Sequence, residues 1–349
     1  MSTLLLDRSR LELRSEGGAL AVYEAGERRG TVPVSLLDRC IIHGASTRLD
    51  SGVLLQLAEA GVSTVLFSPR TARRVAIVLG PSHNDAAVRL AQARRVHDDA
   101  RCRAWALGLV RAKLRRQLRL QRQWLAARPD ARKPLTDASQ ALAQALSRLP
   151  QMPLAGADLP DLATLRGIEG AAARAHFAGL AAVVPPSLGF TGRNRRPPRD
   201  PVNVLLSLGY TLLHAEAVQA CHAAGIDPLL GFYHQPSWGR ESMASDLMEP
   251  LRPAIDAWAW QMVRSRTLTL DHFSMDRGAC LLGKAGRAEF YGTWAKDLRP
   301  WRRCLRHLAM RLVRELRAEG EPWLAHADDA DDEAGIDDTA GAWTQTEAF

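Results

Sequence analysis

A chain of 349 residues with 46% hydrophobic and 24% charged residues has the composition of an ordinary soluble protein and is long enough for two domains. No apolar stretch reaches the roughly 20 residues that span a bilayer, and Asp7 interrupts the N-terminus too early for a secretory signal. Five scattered cysteines without a C-x-x-C pair argue against a disulfide framework or a zinc site. We therefore expect a cytoplasmic protein that does not enter a membrane.

The acidic residues are concentrated at the C-terminus, so the rest of the chain is more basic than the net charge of +8 indicates. Eight of the 38 acids lie beyond residue 324, where there is no Lys or Arg, which leaves 30 acids against 46 basic residues and a charge of +16. Arginine supplies most of this charge and pairs with phosphate through a planar fork, which favours nucleic acid as a partner. An equally good interpretation of the arginine content is that these residues are solvated surface cations that bind no partner.

Residues 1–84 have the pattern of a small β-rich domain. Short alternating apolar stretches are separated by turn signals at 16–18 and 25–27, and strand patterns continue at 62–68 and 73–81. Residues 51–61 instead show the apolar spacing of a helix.

Residues 85–324 predict a larger all-α domain, which gives an α+β fold class overall. Apolar residues recur at helical spacing in several stretches, and arginine fills the opposite face of the first and the last. The predicted helices are 85–125, 162–184, a helix capped by Asp200 with Pro201 at its first position, 254–268 and 298–320, with a short strand pair at 279–291. Residues 325–349 have too few apolar groups to pack and predict an acidic, disordered tail.

The stretch 230–253 is the most informative for chemistry. His234 follows an apolar entry, and a helix is predicted to begin near residue 240. Asp246 and Glu249 are three residues apart, so both carboxylates leave one face of that helix. A histidine beside two such acids is a nitrogen and oxygen set suited to Mn²⁺ or Mg²⁺. A structural histidine and a solvated acidic face are the alternatives, and Glu169, on the helix 162–184, is by itself an ordinary surface residue.

Four segments, taken in order, resemble the CRISPR-associated Cas1 family, the integrase-type endonucleases of spacer acquisition. They are LRGIEGAAARAHF (165–177), GRNRRPPRDPVNVLLSLGYTLL (192–213), GFYHQPSWGRESMASDLMEPLRP (231–253) and, more loosely, LVRAKLRRQ (109–117). Each is weak alone, but the ordered set with its H-x11-D-x2-E spacing is specific.

The resemblance implies a catalytic metal site. The family's ligands fall on Glu169, His234 and Glu249, and Asp246 is either an acid that supports them or an alternate ligand. With Mg²⁺ or Mn²⁺, attack of a 3′-hydroxyl on a phosphodiester would join protospacer DNA to a CRISPR repeat by transesterification, and attack of water would cut DNA.

The resemblance also implies partners: double-stranded DNA, a second copy of the chain in a homodimer formed with help from the β domains, and the small Cas2 protein in a heterohexamer. Candidate phosphate contacts are Arg193, Arg195, Arg196, Arg240 and Arg252, each of which has a structural ion pair as its alternative. Two other functional classes stay open: a stand-alone DNA repair nuclease, and a non-catalytic DNA-binding scaffold.

Overall fold

The computed structural model describes residues 2–8, 10–43, 46–68, 74–80, 83, 85–150, 159–194 and 197–331. Two of the predicted phosphate contacts, Arg195 and Arg196, lie outside the described residues.

The described residues of the N-terminal part form eight strands and one α-helix. They are β1 (Ser2–Leu6), β2 (Leu11–Glu16), β3 (Ala19–Glu24), β4 (Glu27–Pro33), β5 (Leu37–Ile42), β6 (Arg48–Leu49), α1 (Ser51–Glu59), β7 (Ser63–Phe67) and β8 (Arg74–Val78). One sheet has the order β1-β5-β7-β8 and is parallel except for the β7–β8 pair. The other has the order β4-β3-β2-β6.

Strand β5 is buried on both faces, which explains how the sheets join the rest of the protein. Cys40 and Ile42 belong to the apolar cluster shared by the two sheets and α1. Ile41 points to the opposite face, because side chains alternate along a strand, and it belongs to the large core formed with the helices. Strand β5 therefore lies between the apolar cluster of the two sheets and the large core formed with the helices.

The remainder of the described chain is mostly helical. It comprises α2 (Ala86–Arg95), α3 (Asp99–Ala127), α4 (Arg132–Ser147), α5 (Leu162–Val183), α6 (Pro201–Ala224), α7 (Ser242–Met248), α8 (Arg252–Arg264), β9 (Phe273–Asp276), β10 (Ala279–Leu282) and α9 (Lys284–Asp331). The predicted α+β class, with a small β region before a larger helical one, is confirmed. The helical part also contains the β9–β10 hairpin, so it is not entirely α.

Three element boundaries differ from the prediction. The stretch 85–125 is two helices, because the chain turns after Arg95 and the Asp98 carboxylate accepts from the backbone N–H of Arg101 to begin α3. The strand pair lies at 273–282 rather than 279–291, joined by a two-residue turn at Arg277 and Gly278, which both have positive φ. Residues from 284 onward are helical instead.

The predicted disorder from residue 325 is wrong for its first seven residues. Helix α9 continues to Asp331. The remaining part of the predicted tail, 332–349, lies outside the described residues.

Helix α6 is the centre of the helical part. Asp200 caps it by accepting from the backbone N–H of Asn203 at 2.8 Å, with Pro201 at the first position, as predicted. Within the described chain, α6 is the one helix long and apolar enough to cross a membrane, at a mean hydropathy of 1.2. The buried share of that stretch is 67%, and a buried core helix passes the same test, so this is weak evidence for a membrane.

A buried cluster of side-chain ion pairs connects β5 with α6 and α9. The guanidinium of Arg39, with no exposed surface, contacts the carboxylate of Glu216, which is 2% exposed. Arg302 donates to the same carboxylate at 3.0 Å and pairs with Asp38 at 2.8 Å. Buried charges are tolerated only when they are paired, so these residues fix how the sheet sits on the helices.

Candidate metal and DNA site

Asp246 organises the loop that carries His234. The carboxylate of Asp246 is completely buried and accepts from three successive backbone N–H groups, those of Phe232, Tyr233 and His234, each at 2.9 Å. One of its oxygens also lies 2.7 Å from Nδ1 of His234. These four contacts match the four lone-pair sites of a carboxylate, so Asp246 has none left to hold an ion. Asp246 therefore positions the loop and the histidine.

The contact with Asp246 also sets the tautomer of His234. A buried carboxylate only accepts hydrogen bonds, so the Nδ1 of His234 is the atom that carries the proton. The Nε2 atom then presents its lone pair on the other side of the ring, 3.8 Å from Oε1 of Glu249. The Nε2 atom therefore faces the Glu249 carboxylate.

Lys113 joins the two predicted carboxylates. Its ammonium donates to Oε2 of Glu249 at 2.6 Å and also contacts Oε1 of Glu169. Glu169 lies on α5, Lys113 on α3 and Glu249 directly after α7. The structure thus brings α5 and the segment after α7 to a single cation on α3.

Two further side chains complete the hydrogen bonding of the site. Arg252 donates from Nε to Oε1 of Glu249 at 2.7 Å, and the Tyr233 hydroxyl donates to Oε2 of Glu169 at 3.3 Å. The side chains of Lys113 and Glu249 are 9% and 6% exposed, whereas that of Glu169 is 22% exposed. The site is therefore buried on the Glu249 side and opens toward solvent near Glu169.

The charges in the site stabilise one another. Burial alone raises the pKa of Glu249, but Arg252 and then Lys113 outweigh burial, so the pKa lies well below its usual range. Burial alone lowers the pKa of Lys113, but Glu249 and then Glu169 reverse this and raise it above the ordinary lysine value. Both groups are therefore charged at neutral pH.

The donor atoms suit a hard divalent ion, although the site is not preformed for one. Among the described residues, no three His, Cys, Asp or Glu side chains are grouped closely enough to hold a metal. Instead, carboxylate oxygens from Glu169 and Glu249 converge on the Lys113 ammonium, and Nε2 of His234 lies 3.8 Å from the other oxygen of Glu249. Two carboxylates and one imidazole are suitable ligands for Mg²⁺ or Mn²⁺, provided that the ammonium withdraws.

A buried polar chain lies behind Arg252. The Arg252 guanidinium stacks 4.8 Å from the ring centre of Tyr210, whose hydroxyl contacts Asp256. Asp256 lies 3.0 Å from Nε2 of His176, and Nδ1 of that ring is 3.0 Å from the Gln121 amide. This chain connects α8, α6, α5 and α3 and holds Arg252 against Glu249.

The sequence reasoning missed Lys113, although a signal was present. Lys113 occupies a position on the buried face of α3, at helical spacing from Val110 and Leu120, where an apolar residue is expected. A charged residue at such a position requires a buried partner of opposite charge. Its two partners lie 56 and 136 residues away in sequence, so spacing alone does not identify them.

The predicted phosphate contacts have different surroundings. Arg193 donates to Asn203 at 2.7 Å and to Ser207 at 3.0 Å, which fastens its loop to α6 and favours the structural alternative. Arg252 pairs with Glu249, as described above. Arg240 is exposed on the loop that precedes α7.

The family model described as CRISPR associated protein Cas1 matches residues 4–296. The CRISPR-associated endonuclease Cas1 1 of Thermodesulfovibrio yellowstonii is 34% identical over 90% of this chain and 98% of its own length. A casposase bound to integration product has the same fold, with a TM-score of 0.75 at 21% identity over 90% of this chain and 91% of that one. A Cas6-RT-Cas1–Cas2 complex gives a TM-score of 0.74 at 21% identity, over 91% of this chain and 35% of that one. Because the family model matches residues 4–296 and the relative from T. yellowstonii is 34% identical over 90% of this chain, this chain belongs to the CRISPR-associated Cas1 family.

Proposed function

We propose that this protein is a metal-dependent DNA endonuclease and integrase that inserts protospacer DNA into a CRISPR array by transesterification. The observation that carries the proposal is that the carboxylates of Glu169 and Glu249 meet at one ammonium, while Nε2 of His234 lies 3.8 Å from Oε1 of Glu249. Membership of the Cas1 family supports it, as does the name endonuclease given to the relative from T. yellowstonii.

Glu169, His234 and Glu249 would hold Mg²⁺ or Mn²⁺, which when bound polarises a phosphodiester and stabilises developing negative charge. The protein's own residues prepare that position. Asp246 holds the His234 ring through Nδ1, so that Nε2 faces Glu249. Arg252 and the displaced Lys113 are cations that neutralise negative charge on a phosphate beside the site.

Double-stranded DNA, a second copy of the chain and Cas2 are the proposed partners, in the cytoplasm. The fold similarity to a Cas6-RT-Cas1–Cas2 complex supports Cas2 as a partner. For DNA, the exposed side of α3 carries Arg115, Arg119 and Arg122 at intervals of four and three residues, so they lie along one face. Such a row of arginines is suited to successive phosphates.

Replacing Lys113 with methionine tests whether the ammonium occupies the position of the ion. In EDTA, the free energy of unfolding should fall by about 3 kcal/mol, because Glu169 and Glu249 lose their counter-charge. Mn²⁺ should stabilise the variant more than the wild type, since the ion no longer competes with the ammonium. Denaturant unfolding with and without Mn²⁺ measures both effects.

The matched control is Lys133→Met, because that lysine is 88% exposed and its ion pair is with Asp137, four residues away on the same helix. This control should change stability by less than about 0.5 kcal/mol. Equal stabilisation of wild type and Lys113→Met by Mn²⁺ would show that lysine and ion do not share a position.

The proposed function is tested with the wild-type chain, its small partner protein, a short duplex and a supercoiled plasmid that carries a CRISPR repeat. Joining of the duplex to the repeat in Mn²⁺, abolished by EDTA, is the expected result. Cutting without joining would favour the repair nuclease, and DNA binding without any turnover would favour the scaffold. A plasmid that lacks the repeat is the control for target choice.

A further inference from the structure

The two candidate carboxylates share one arrangement, in which each oxygen of a carboxylate has a different donor. Oε2 of Glu249 accepts from the Lys113 ammonium at 2.6 Å, and Oε1 of Glu249 accepts from Nε of Arg252 at 2.7 Å. In the same way, Oε1 of Glu169 contacts the ammonium, and Oε2 of Glu169 accepts from the hydroxyl of Tyr233 at 3.3 Å. Each carboxylate therefore turns one oxygen toward the cation and has its other oxygen held by a neighbouring side chain.

Tyr233 is held both at its backbone and at its ring. Its N–H donates to the carboxylate of Asp246 at 2.9 Å, and its carbonyl accepts from the guanidinium of Arg166 at 3.0 Å. The residue is 2% exposed, and its ring centre lies 5.0 Å from that of His234. Hydrogen bonds at both backbone groups and close packing around the ring restrict the hydroxyl to one position beside Glu169.

An incoming divalent ion affects the two donors to Glu169 differently. The ammonium of Lys113 is repelled by a second cation and withdraws, whereas the hydroxyl of Tyr233 is neutral and keeps its hydrogen bond. Among the residues that the structure describes, Tyr233 is then the remaining hydrogen-bond donor to the Glu169 carboxylate. It occupies Oε2 and leaves Oε1, the oxygen that faces Lys113, for the ion.

We propose that Tyr233 is a positioning residue that makes Glu169 bind the ion through one oxygen, and that it thereby favours Mg²⁺ or Mn²⁺ over Ca²⁺. The inference rests on the proposed function, since it assumes that Glu169 holds the ion. Ca²⁺ is larger than Mg²⁺ and the similarly sized Mn²⁺, takes more oxygen ligands and accepts both oxygens of one carboxylate. A hydroxyl that occupies Oε2 of Glu169 opposes this two-oxygen binding, so it disfavours the larger ion.

The test compares wild type with Tyr233→Phe, which removes the hydroxyl and keeps the ring. Binding of Mn²⁺ is followed by electron paramagnetic resonance, and the affinity for Ca²⁺ is obtained from its displacement of Mn²⁺. The Mn²⁺ affinity of Tyr233→Phe should fall about tenfold, as expected when a metal ligand loses a hydrogen-bond partner. The Ca²⁺ affinity should fall by a smaller factor, because the freed oxygen of Glu169 becomes a further ligand for the larger ion.

Two further comparisons show whether the hydroxyl acts through Glu169. Tyr23→Phe is the matched control, because the hydroxyl of Tyr23 donates to Glu16 at 2.8 Å in the N-terminal sheet, and this variant should bind both ions like wild type. Adding Tyr233→Phe to Glu169→Ala should lower the Mn²⁺ affinity no further than Glu169→Ala alone, since the carboxylate that the hydroxyl positions is gone.

Three results would overturn the role of Tyr233 while leaving the metal site intact. They are an unchanged Mn²⁺ affinity in Tyr233→Phe, an equal loss of affinity for Mn²⁺ and Ca²⁺, and a further loss when Tyr233→Phe is added to Glu169→Ala. A different result would remove the metal site of the proposed function itself, and this inference with it. That result is a Glu169→Ala protein that binds Mn²⁺ as tightly as wild type.

Discussion

Replacing His234 with alanine is expected to lower the rate of DNA joining by at least about 100-fold while duplex binding stays within about twofold of wild type. Changes beside a metal ligand typically cost 10- to 100-fold, and removing the ligand itself costs at least as much. Binding is retained because the exposed arginines of α3 and α9 do not depend on the imidazole. The rate of strand joining in Mn²⁺ and the affinity for the duplex are measured on the same preparations.

His97→Ala is the matched control, because His97 is exposed in the turn between α2 and α3 and only its backbone takes part in a described hydrogen bond. It should join DNA at the wild-type rate. If His234→Ala also joined DNA at that rate, His234 would not be a ligand and the assignment of all three residues would need revision.

Replacing Glu216 with leucine is expected to lower the free energy of unfolding by about 3–5 kcal/mol, the usual cost of leaving one member of a buried ion pair alone. Arg39 would lose its carboxylate partner without gaining access to water, since its side chain has no exposed surface. Arg302 is 30% exposed and keeps Asp38, so most of the cost falls on Arg39. Urea unfolding gives the change directly.

Two variants show whether the ion pair is the cause. The double variant Arg39→Met, Glu216→Leu replaces both charges with apolar groups and should recover much of the lost stability. Glu59→Leu, at an exposed position of α1, should change stability by less than about 0.5 kcal/mol. A Glu216→Leu protein as stable as wild type would mean that the cluster does not fasten β5 to the helices.

Local features were predictable because their causes are local. The cap of α6 is an example: an aspartate followed by proline and an apolar run specifies a helix start without any tertiary information. The break between α2 and α3 carried the same kind of signal in Asp98, but the continuous helical spacing on both sides obscured it. The β9–β10 turn was missed because Arg277-Gly278 is a weaker turn signal than Asn-Gly.

The assignment of Glu169, His234 and Glu249 as metal ligands stays a prediction, and the contacts among the candidate residues could not be predicted from the sequence. The resemblance pointed to Glu169, His234 and Glu249. In the structure Lys113 contacts the two carboxylates, and Nε2 of His234 lies 3.8 Å from Oε1 of Glu249. The contact of Lys113 with both carboxylates depends on how α3 packs against α5 and the end of α7. The same holds for Asp246, whose three backbone contacts require the folded loop at 232–234.

The central claim, that Glu169, His234 and Glu249 form one divalent-ion site, is tested most directly by the binding of Mn²⁺ to wild type and to Glu169→Gln, followed by electron paramagnetic resonance. Glutamine keeps the shape of Glu169 but not its charge, and Glu59→Gln controls for exposed acids elsewhere. We predict that wild type and the control bind one Mn²⁺ more tightly than Glu169→Gln does, by at least about tenfold. Identical Mn²⁺ affinity in all three proteins would contradict the account.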